Sequence, residues 1–71
     1  MKRYLIVIEE TATGYSAYSP DLPGCVSTGQ DRAAVEGNMR EAIQLHLEGL
    51  RDAEYEVPEP HSYSAYVEVS A

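Results

Sequence analysis

The chain has 71 residues, enough for one small domain whose single hydrophobic core is close to the lower limit of size. It carries 5 basic and 12 acidic side chains, and the basic ones form no cluster. Clustered lysine and arginine supply most of the affinity for nucleic acid, so the composition argues against direct nucleic-acid binding. A net charge of −7 favours a basic protein partner, although it serves solubility equally well.

The rest of the composition indicates where the protein is located and whether it self-associates. A single cysteine cannot form an intrachain disulfide, and the apolar run Tyr4–Ile8 is too short for a signal peptide or a membrane span. We therefore expect a soluble, cytoplasmic protein without membrane contact. The chain has six tyrosines but no phenylalanine or tryptophan. Tyrosine suits half-exposed contact surfaces, and a domain this small gains stability by association, so we expect a homo-oligomer.

The first predicted strand is Tyr4–Ile8. It is apolar on both alternating faces, with Leu5 and Val7 on one of them. Strands of this kind are usually central in a sheet and covered on both sides. The chain supplies only one helix, so the second cover has to come from elsewhere.

Two further strands are predicted within Tyr15–Thr28, joined by a stiff corner. Pro20 fixes its own φ angle, and Pro23-Gly24 forms a turn in which glycine takes a positive φ. Leu22 lies between the prolines and is expected to plug the apolar interior of this corner.

The helix is predicted from about Arg32 to about Ala53, with Asp31 as its N-cap. Seven residues at helical spacing form its core-facing stripe: Val35, Met39, Ala42, Ile43, His46, Leu47 and Leu50. His46 is expected to be a hydrogen-bonded core histidine, with a functional role as the alternative. Leu45 falls outside the stripe.

After the helix, Val57–Pro60 forms an extended connector, and Tyr63–Val69 alternates as a fourth strand. The predicted fold is a two-layer α+β arrangement in the order β-β-β-α-β. An antiparallel three-stranded meander is joined by a C-terminal strand parallel to strand one, and one helix covers one face. The topology predicts a single domain over residues 1–71.

The corner and its surroundings resemble the HicB family of bacterial antitoxins. The resemblance is carried by Ser19, Pro20, Asp21, Leu22, Pro23, Gly24 and Cys25, which follow Tyr18, by the helix end at Leu47–Leu50, and by the connector Val57–Pro60. It implies a partial ribonuclease-H-like sheet and a toxin partner of the HicA type, a small basic ribonuclease. Many HicB proteins also carry a C-terminal DNA-binding domain. This sequence ends two residues after its last predicted strand, so no such domain is expected in it.

No catalytic, cofactor or metal site is predicted. A two-metal nuclease needs converging carboxylates, whereas Glu9 and Glu10 stand at a strand end and Glu68 is isolated. Cys25, His46 and His61 lack the close paired spacing of zinc ligands. Non-enzymatic binding is therefore the expected activity.

Two functions remain open. In the first, the chain is an antitoxin that binds and neutralises a basic HicA-type ribonuclease. In the second, it is a solitary homo-oligomeric structural or regulatory module without a toxin. The predicted self-association surface consists of Leu5, Val7, Tyr18 and Tyr66, on the sheet face expected to lack a helix. In the other register of the first strand, the Tyr4–Ile8 set takes the place of Leu5 and Val7.

Overall fold

The computed structural model describes residues 1–71 and shows an α+β fold. Three antiparallel strands form a sheet in the order β1-β2-β3, with β1 at Val7–Glu10, β2 at Tyr15–Tyr18 and β3 at Val26–Gly29. One helix, α1, spans Arg32–Asp52. The predicted three-stranded meander and the predicted helix are therefore confirmed.

The strand register assigns side chains to the two faces of the sheet. Ile8 pairs with Ala17, and Ala17 pairs with Ser27. This row faces α1, because Ala17 is part of the buried core. The adjacent row, Val7 paired with Tyr18, lies on the opposite face since neighbouring residues of a strand point to opposite sides.

The core lies between α1 and β2–β3. It is small, and its five buried members are Ala17, Leu22, Cys25, Val35 and Met39. Half-buried side chains pack around it, with Tyr4, Ile6 and Ile8 from one side and Ala42, Ile43 and Leu47 from the other. The predicted core stripe of the helix is thus confirmed at its centre, and Leu45 is exposed as expected from its angle.

Local hydrogen bonds define both ends of α1. The Asp31 carboxylate accepts the backbone N–H of Ala34 at 2.7 Å, which confirms the predicted N-cap. At the other end Glu54 has a φ of 62° and donates to Arg51, while Tyr55 donates to Leu50. These two bonds form a Schellman motif, so the helix stops one residue earlier than predicted.

The first strand differs from its prediction of Tyr4–Ile8. It begins at Val7 and continues through Glu10, because Val7 is the last residue that finds a partner on β2. Beyond Tyr18 the chain turns away into the Pro20 corner, so residues 4–6 have no strand beside them. Within one chain β1 is an edge strand and not a central one.

The C-terminal segment, Tyr63–Val69, pairs with no strand of its own chain. Residues 56–71 take part in no backbone–backbone hydrogen bond, and every residue of the segment is exposed. The predicted fourth strand beside strand one, and the ribonuclease-H-like completion of the sheet, are thus not formed within the single chain.

Candidate interaction surfaces

The corner between β2 and β3, residues Ser19–Cys25, is closed by its own backbone. Ser19 N–H donates to Cys25 at 3.3 Å, and Cys25 N–H donates to Leu22 at 3.1 Å. Gly24 takes the positive φ of 81° that the Pro-Gly turn requires. Leu22 is fully buried, which confirms it as the plug of the corner.

Ser19 ties this corner to the residues before β1. Its hydroxyl donates to the carbonyl of Leu5 at 2.9 Å. This bond replaces the ladder that β2 no longer provides, and it turns the backbone polar groups of Leu5 toward the corner. The neighbouring residues Tyr4 and Ile6 form no backbone–backbone hydrogen bond.

Asp21 binds the connector that follows the helix. One of its carboxylate oxygens accepts the backbone N–H groups of His61 and Ser62, both at 3.0 Å. The other accepts the Ser62 hydroxyl at 2.7 Å and lies 3.2 Å from His61 Nδ1. We call Asp21, His61 and Ser62 the Asp21 clamp.

The clamp favours the charged carboxylate. The hydrogen bond from the Ser62 hydroxyl, followed by that from the Ser62 backbone, holds the pKa of Asp21 below its ordinary value of 3.8. Burial of the group opposes this lowering but does not cancel it. Asp21 thus holds a segment about 40 residues further along the chain.

Two contacts hold the connector near the chain start. The Tyr4 hydroxyl donates to the carbonyl of Pro58, and Lys2 forms a 2.9 Å salt bridge with Glu59. Both partners of the salt bridge are exposed, so this pair contributes little to stability. The connector therefore passes beside residues 1–6, and the C-terminal segment leaves the body of the domain from there.

The sheet face opposite α1 carries an apolar strip, which we call the outer face. Val7, Tyr18 and Val26 stand side by side across the three strands. Tyr18 is 42% exposed and Val26 is 65% exposed. Leu5 continues the strip by alternation from Val7, and neither residue is among those packed on the core.

The structure places Tyr66 apart from the other predicted self-association residues. It is fully exposed in the C-terminal segment, whereas Val7 and Tyr18 stand side by side on the outer face and Leu5 lies two residues before Val7. The outer face also includes Val26, which was not predicted as part of the self-association surface.

A groove of about 550 Å³ lies between residues 1–6 and α1. Its apolar lining comes from Met1, Tyr4, Ile6, Ile43 and Leu47. It exists because α1 packs over β3 and β2 and leaves the β1 side of the sheet uncovered. We call it the edge groove. Its rim carries Lys2, Arg40 and Arg51, three of the five basic residues of the chain.

Residues 4–70 match the family model described as "HicB_like antitoxin of bacterial toxin-antitoxin system". The chain belongs to this family. A solved structure, "HicA3 and HicB3 toxin-antitoxin complex", contains a chain of the same fold. It matches with a TM-score of 0.73 and 33% identity, over 83% of this chain and 70% of that one. The resemblance inferred from the corner residues is thereby confirmed.

Curated relatives agree with this assignment at the level of sequence. An uncharacterized 14.9 kDa protein in the rep-hol intergenic region of Haemophilus phage HP1 is 36% identical over 90% of this chain and 48% of its own length. A UPF0150 protein of Helicobacter pylori is 46% identical over 62% of this chain and 61% of its own length. A UPF0150 protein of Thermoplasma acidophilum is 30% identical over 79% and 83%, respectively. The chain thus spans about half to three fifths of the first two relatives.

The side chains that could act as nucleophiles or metal ligands do not cluster in this HicB-like domain. Burial raises the pKa of the Cys25 thiol, which disfavours the reactive thiolate. His46 is half-buried on α1, and its imidazole ring forms no hydrogen bond. The predicted hydrogen-bonded core histidine is therefore not observed. No group of three His, Cys, Asp or Glu side chains is placed to hold a metal ion, and no helix is long and apolar enough to cross a membrane.

The partners of Asp21 were not predicted from the sequence. His61 was considered there only as a possible metal ligand, and Ser62 had no predicted role. The available signal was the connector itself, since Pro58 and Pro60 stiffen the backbone just before the two amides that Asp21 binds. Prolines cannot donate, so the first free N–H groups after them are natural donors for a distant carboxylate.

Proposed function

We propose that this HicB-like chain is an antitoxin that binds and neutralises a small basic ribonuclease of the HicA type. The observation that carries the proposal is the structural match to the antitoxin-containing complex at 33% identity, together with the family match over residues 4–70. The proposed action is binding in the cytoplasm, without catalysis and without direct contact to nucleic acid.

The distribution of charge supports a basic partner. Of the 12 acidic residues, only Asp21 is buried, so the other 11 (12 − 1) face solvent. Glu41 and Glu48 stand on the exposed side of α1, opposite the core. An exposed acidic surface attracts a basic protein over distances of about the Debye length, roughly 10 Å at 0.1 M salt.

The deciding experiment uses a short basic reading frame adjacent to the gene as the candidate toxin. We expect the purified chain to form a stable complex with this toxin and to stop its cleavage of RNA when the two are equimolar. The chain alone is expected neither to cleave RNA nor to bind duplex DNA in physiological salt. A toxin that keeps full activity in excess of the chain contradicts the proposal.

Charge steering is tested separately by the association rate. We expect the double variant Glu41→Lys with Glu48→Lys to associate more slowly than the neutral control Glu41→Gln with Glu48→Gln. Raising salt to about 0.5 M, where the Debye length is below roughly 5 Å, should remove most of the difference. A rate that does not depend on salt rules out steering by net charge.

The second candidate is a homo-oligomeric module that acts without a toxin, and the outer face favours it. An apolar strip that crosses all three strands is the kind of surface that symmetric dimers bury. We expect Tyr18→Glu or Tyr66→Glu to shift the protein toward monomer in sedimentation without unfolding it, with Gln30→Glu, at an exposed position outside the sheet, as the control. A stable wild-type monomer at micromolar concentration contradicts this candidate.

A further inference from the structure

The edge groove and the C-terminal segment complement each other. The groove borders the unpaired edge of the chain around Tyr4 and Ile6, whose backbone polar groups have no partner. The segment Tyr63–Val69 also has unpaired backbone groups, and it alternates between apolar and polar side chains. An unpaired edge and an unpaired strand are the two halves of a β-ladder.

We propose that the C-terminal segment of one chain inserts as an additional strand beside β1 of a second copy, and that the two copies exchange these strands. The inference does not depend on the proposed toxin, because it rests on surfaces that both belong to this chain. It supplies the missing neighbour of β1 and gives the exposed segment a place in the sheet.

The side-chain pattern of the segment fits a position beside β1. Tyr63, Ala65, Val67 and Val69 occupy one side of the extended segment. In the inserted strand these four side chains face the apolar lining of the edge groove, where Ile43 and Leu47 are half-exposed. Val67 and Val69 are 82% and 78% exposed in the single chain, so insertion buries apolar surface that water otherwise covers.

The same insertion places Tyr66 on the other side of the sheet. Successive side chains of a strand alternate, so Tyr66 emerges beside Leu5 and Val7 on the outer face. The four residues of the predicted self-association surface then come together, with Tyr66 contributed by the second copy.

Charge argues against a basic partner as the occupant. The groove rim carries Lys2, Arg40 and Arg51 against one acidic residue, Glu36, and Lys2 is already paired with Glu59. A basic toxin would be repelled here. The segment carries no basic residue and meets no such repulsion, and its one acidic side chain, Glu68, alternates to the outer face with Tyr66.

The connector explains why the segment reaches a second copy. The Asp21 clamp and the Tyr4 hydroxyl fix residues 58–62 against their own domain. The segment leaves this fixed point into solvent and does not fold back onto its own β1. Exchange keeps every contact of the connector and adds a strand to each copy, the usual geometry of a swapped dimer.

Proline scanning tests the proposal. Neighbouring N–H groups of a strand point to opposite sides, so one of Ala65→Pro and Tyr66→Pro must remove a hydrogen bond to β1. We expect at least one of them to weaken the dimer by about tenfold in sedimentation equilibrium. Ala71→Pro, beyond the strand pattern, is the control. Neither site forms a backbone hydrogen bond within the chain, so urea unfolding of the monomer should stay unchanged.

Hydrogen exchange distinguishes the second copy from the chain's own segment. Exchange between copies predicts that alternate amides of Tyr63–Val69 become protected as the protein concentration rises through the dimer dissociation constant. Protection that does not depend on concentration places the segment on its own β1 and overturns the proposal. A dimer that neither proline weakens, or a wild type that stays monomeric at high micromolar concentration, overturns it as well.

Discussion

The two faces of the sheet have similar apolar residues but opposite environments. On the side toward α1, Ala17 of β2 and Leu22 of the adjoining corner are almost completely removed from water. On the outer face, Tyr18 and Val26 remain 42% and 65% exposed. The comparison separates two uses of apolar residues in a small domain: the inner face stabilises the single chain, and the outer face is available to another molecule.

Leucine and valine truncations give the largest expected contrast between the faces. Leu22→Ala removes a fully buried side chain from a core of five residues, so we expect it to lower the free energy of unfolding by about 2–5 kcal/mol. Val26→Ala removes a side chain that is mostly in water and should cost less than about 1 kcal/mol. Urea unfolding of the monomeric form checks both.

Equal losses of unfolding free energy in Leu22→Ala and Val26→Ala would contradict this difference between the two faces. They would show that the outer face is already buried under the conditions of the measurement. Repeating the unfolding at several protein concentrations separates these cases, because stability that comes from association depends on concentration and core stability does not.

Two glycines, Gly29 and Gly37, test whether the inner face is also closely packed at the backbone. A Cβ on Gly29 would lie 2.5 Å from the backbone nitrogen of Val35, where α1 meets β3. The inner face therefore needs glycine there, and we expect Gly29→Ala to destabilise the fold by about 1–3 kcal/mol through overpacking. Gly37 lies on α1 with nothing within 4 Å of its added Cβ, so Gly37→Ala should stabilise by about 0.5–1 kcal/mol.

Thermal unfolding of the two glycine variants measures these effects. We expect the change in stability to have opposite signs at Gly29 and Gly37. Both changes add the same methyl group, so any general effect of alanine cancels between them. A stabilised Gly29→Ala would mean that α1 and β3 separate easily, and the inner face would then not be the rigid part of the domain.

Most of the inner face was predictable from local signals. The helix follows from the 3.6-residue spacing of Val35, Met39 and their neighbours and from the Asp31 cap, which require only short-range information. The corner follows from its prolines and glycine. Such signals depend on residues that are close in sequence.

The edge of the sheet was not predictable in the same way. The apolar pattern of Tyr4–Ile8 predicted a central strand covered on both sides, whereas β1 is an edge strand within the chain. The partners of Asp21 are about 40 residues away, and no local pattern reports a contact over that distance. Long-range pairing and association are the parts that sequence periodicity leaves open.

The smallest expected effect concerns the Asp21 clamp, which joins the inner face to the connector, and it shows as a dependence on pH. The pKa of Asp21 in the folded chain lies below its ordinary value of 3.8, so the unfolded chain binds the proton more readily. Its contribution to stability is therefore complete above pH 3.8 and is lost as the pH falls through the lowered pKa. We expect Asp21→Asn to be less stable than wild type at neutral pH, and the difference to shrink as the pH falls below 3.8. Urea unfolding from pH 7 down to about pH 2 measures it, with exposed Asp52→Asn as the control for removing one charge. A difference that stays constant across this range would show that the hydrogen bonds from His61 and Ser62 do not require the charged carboxylate.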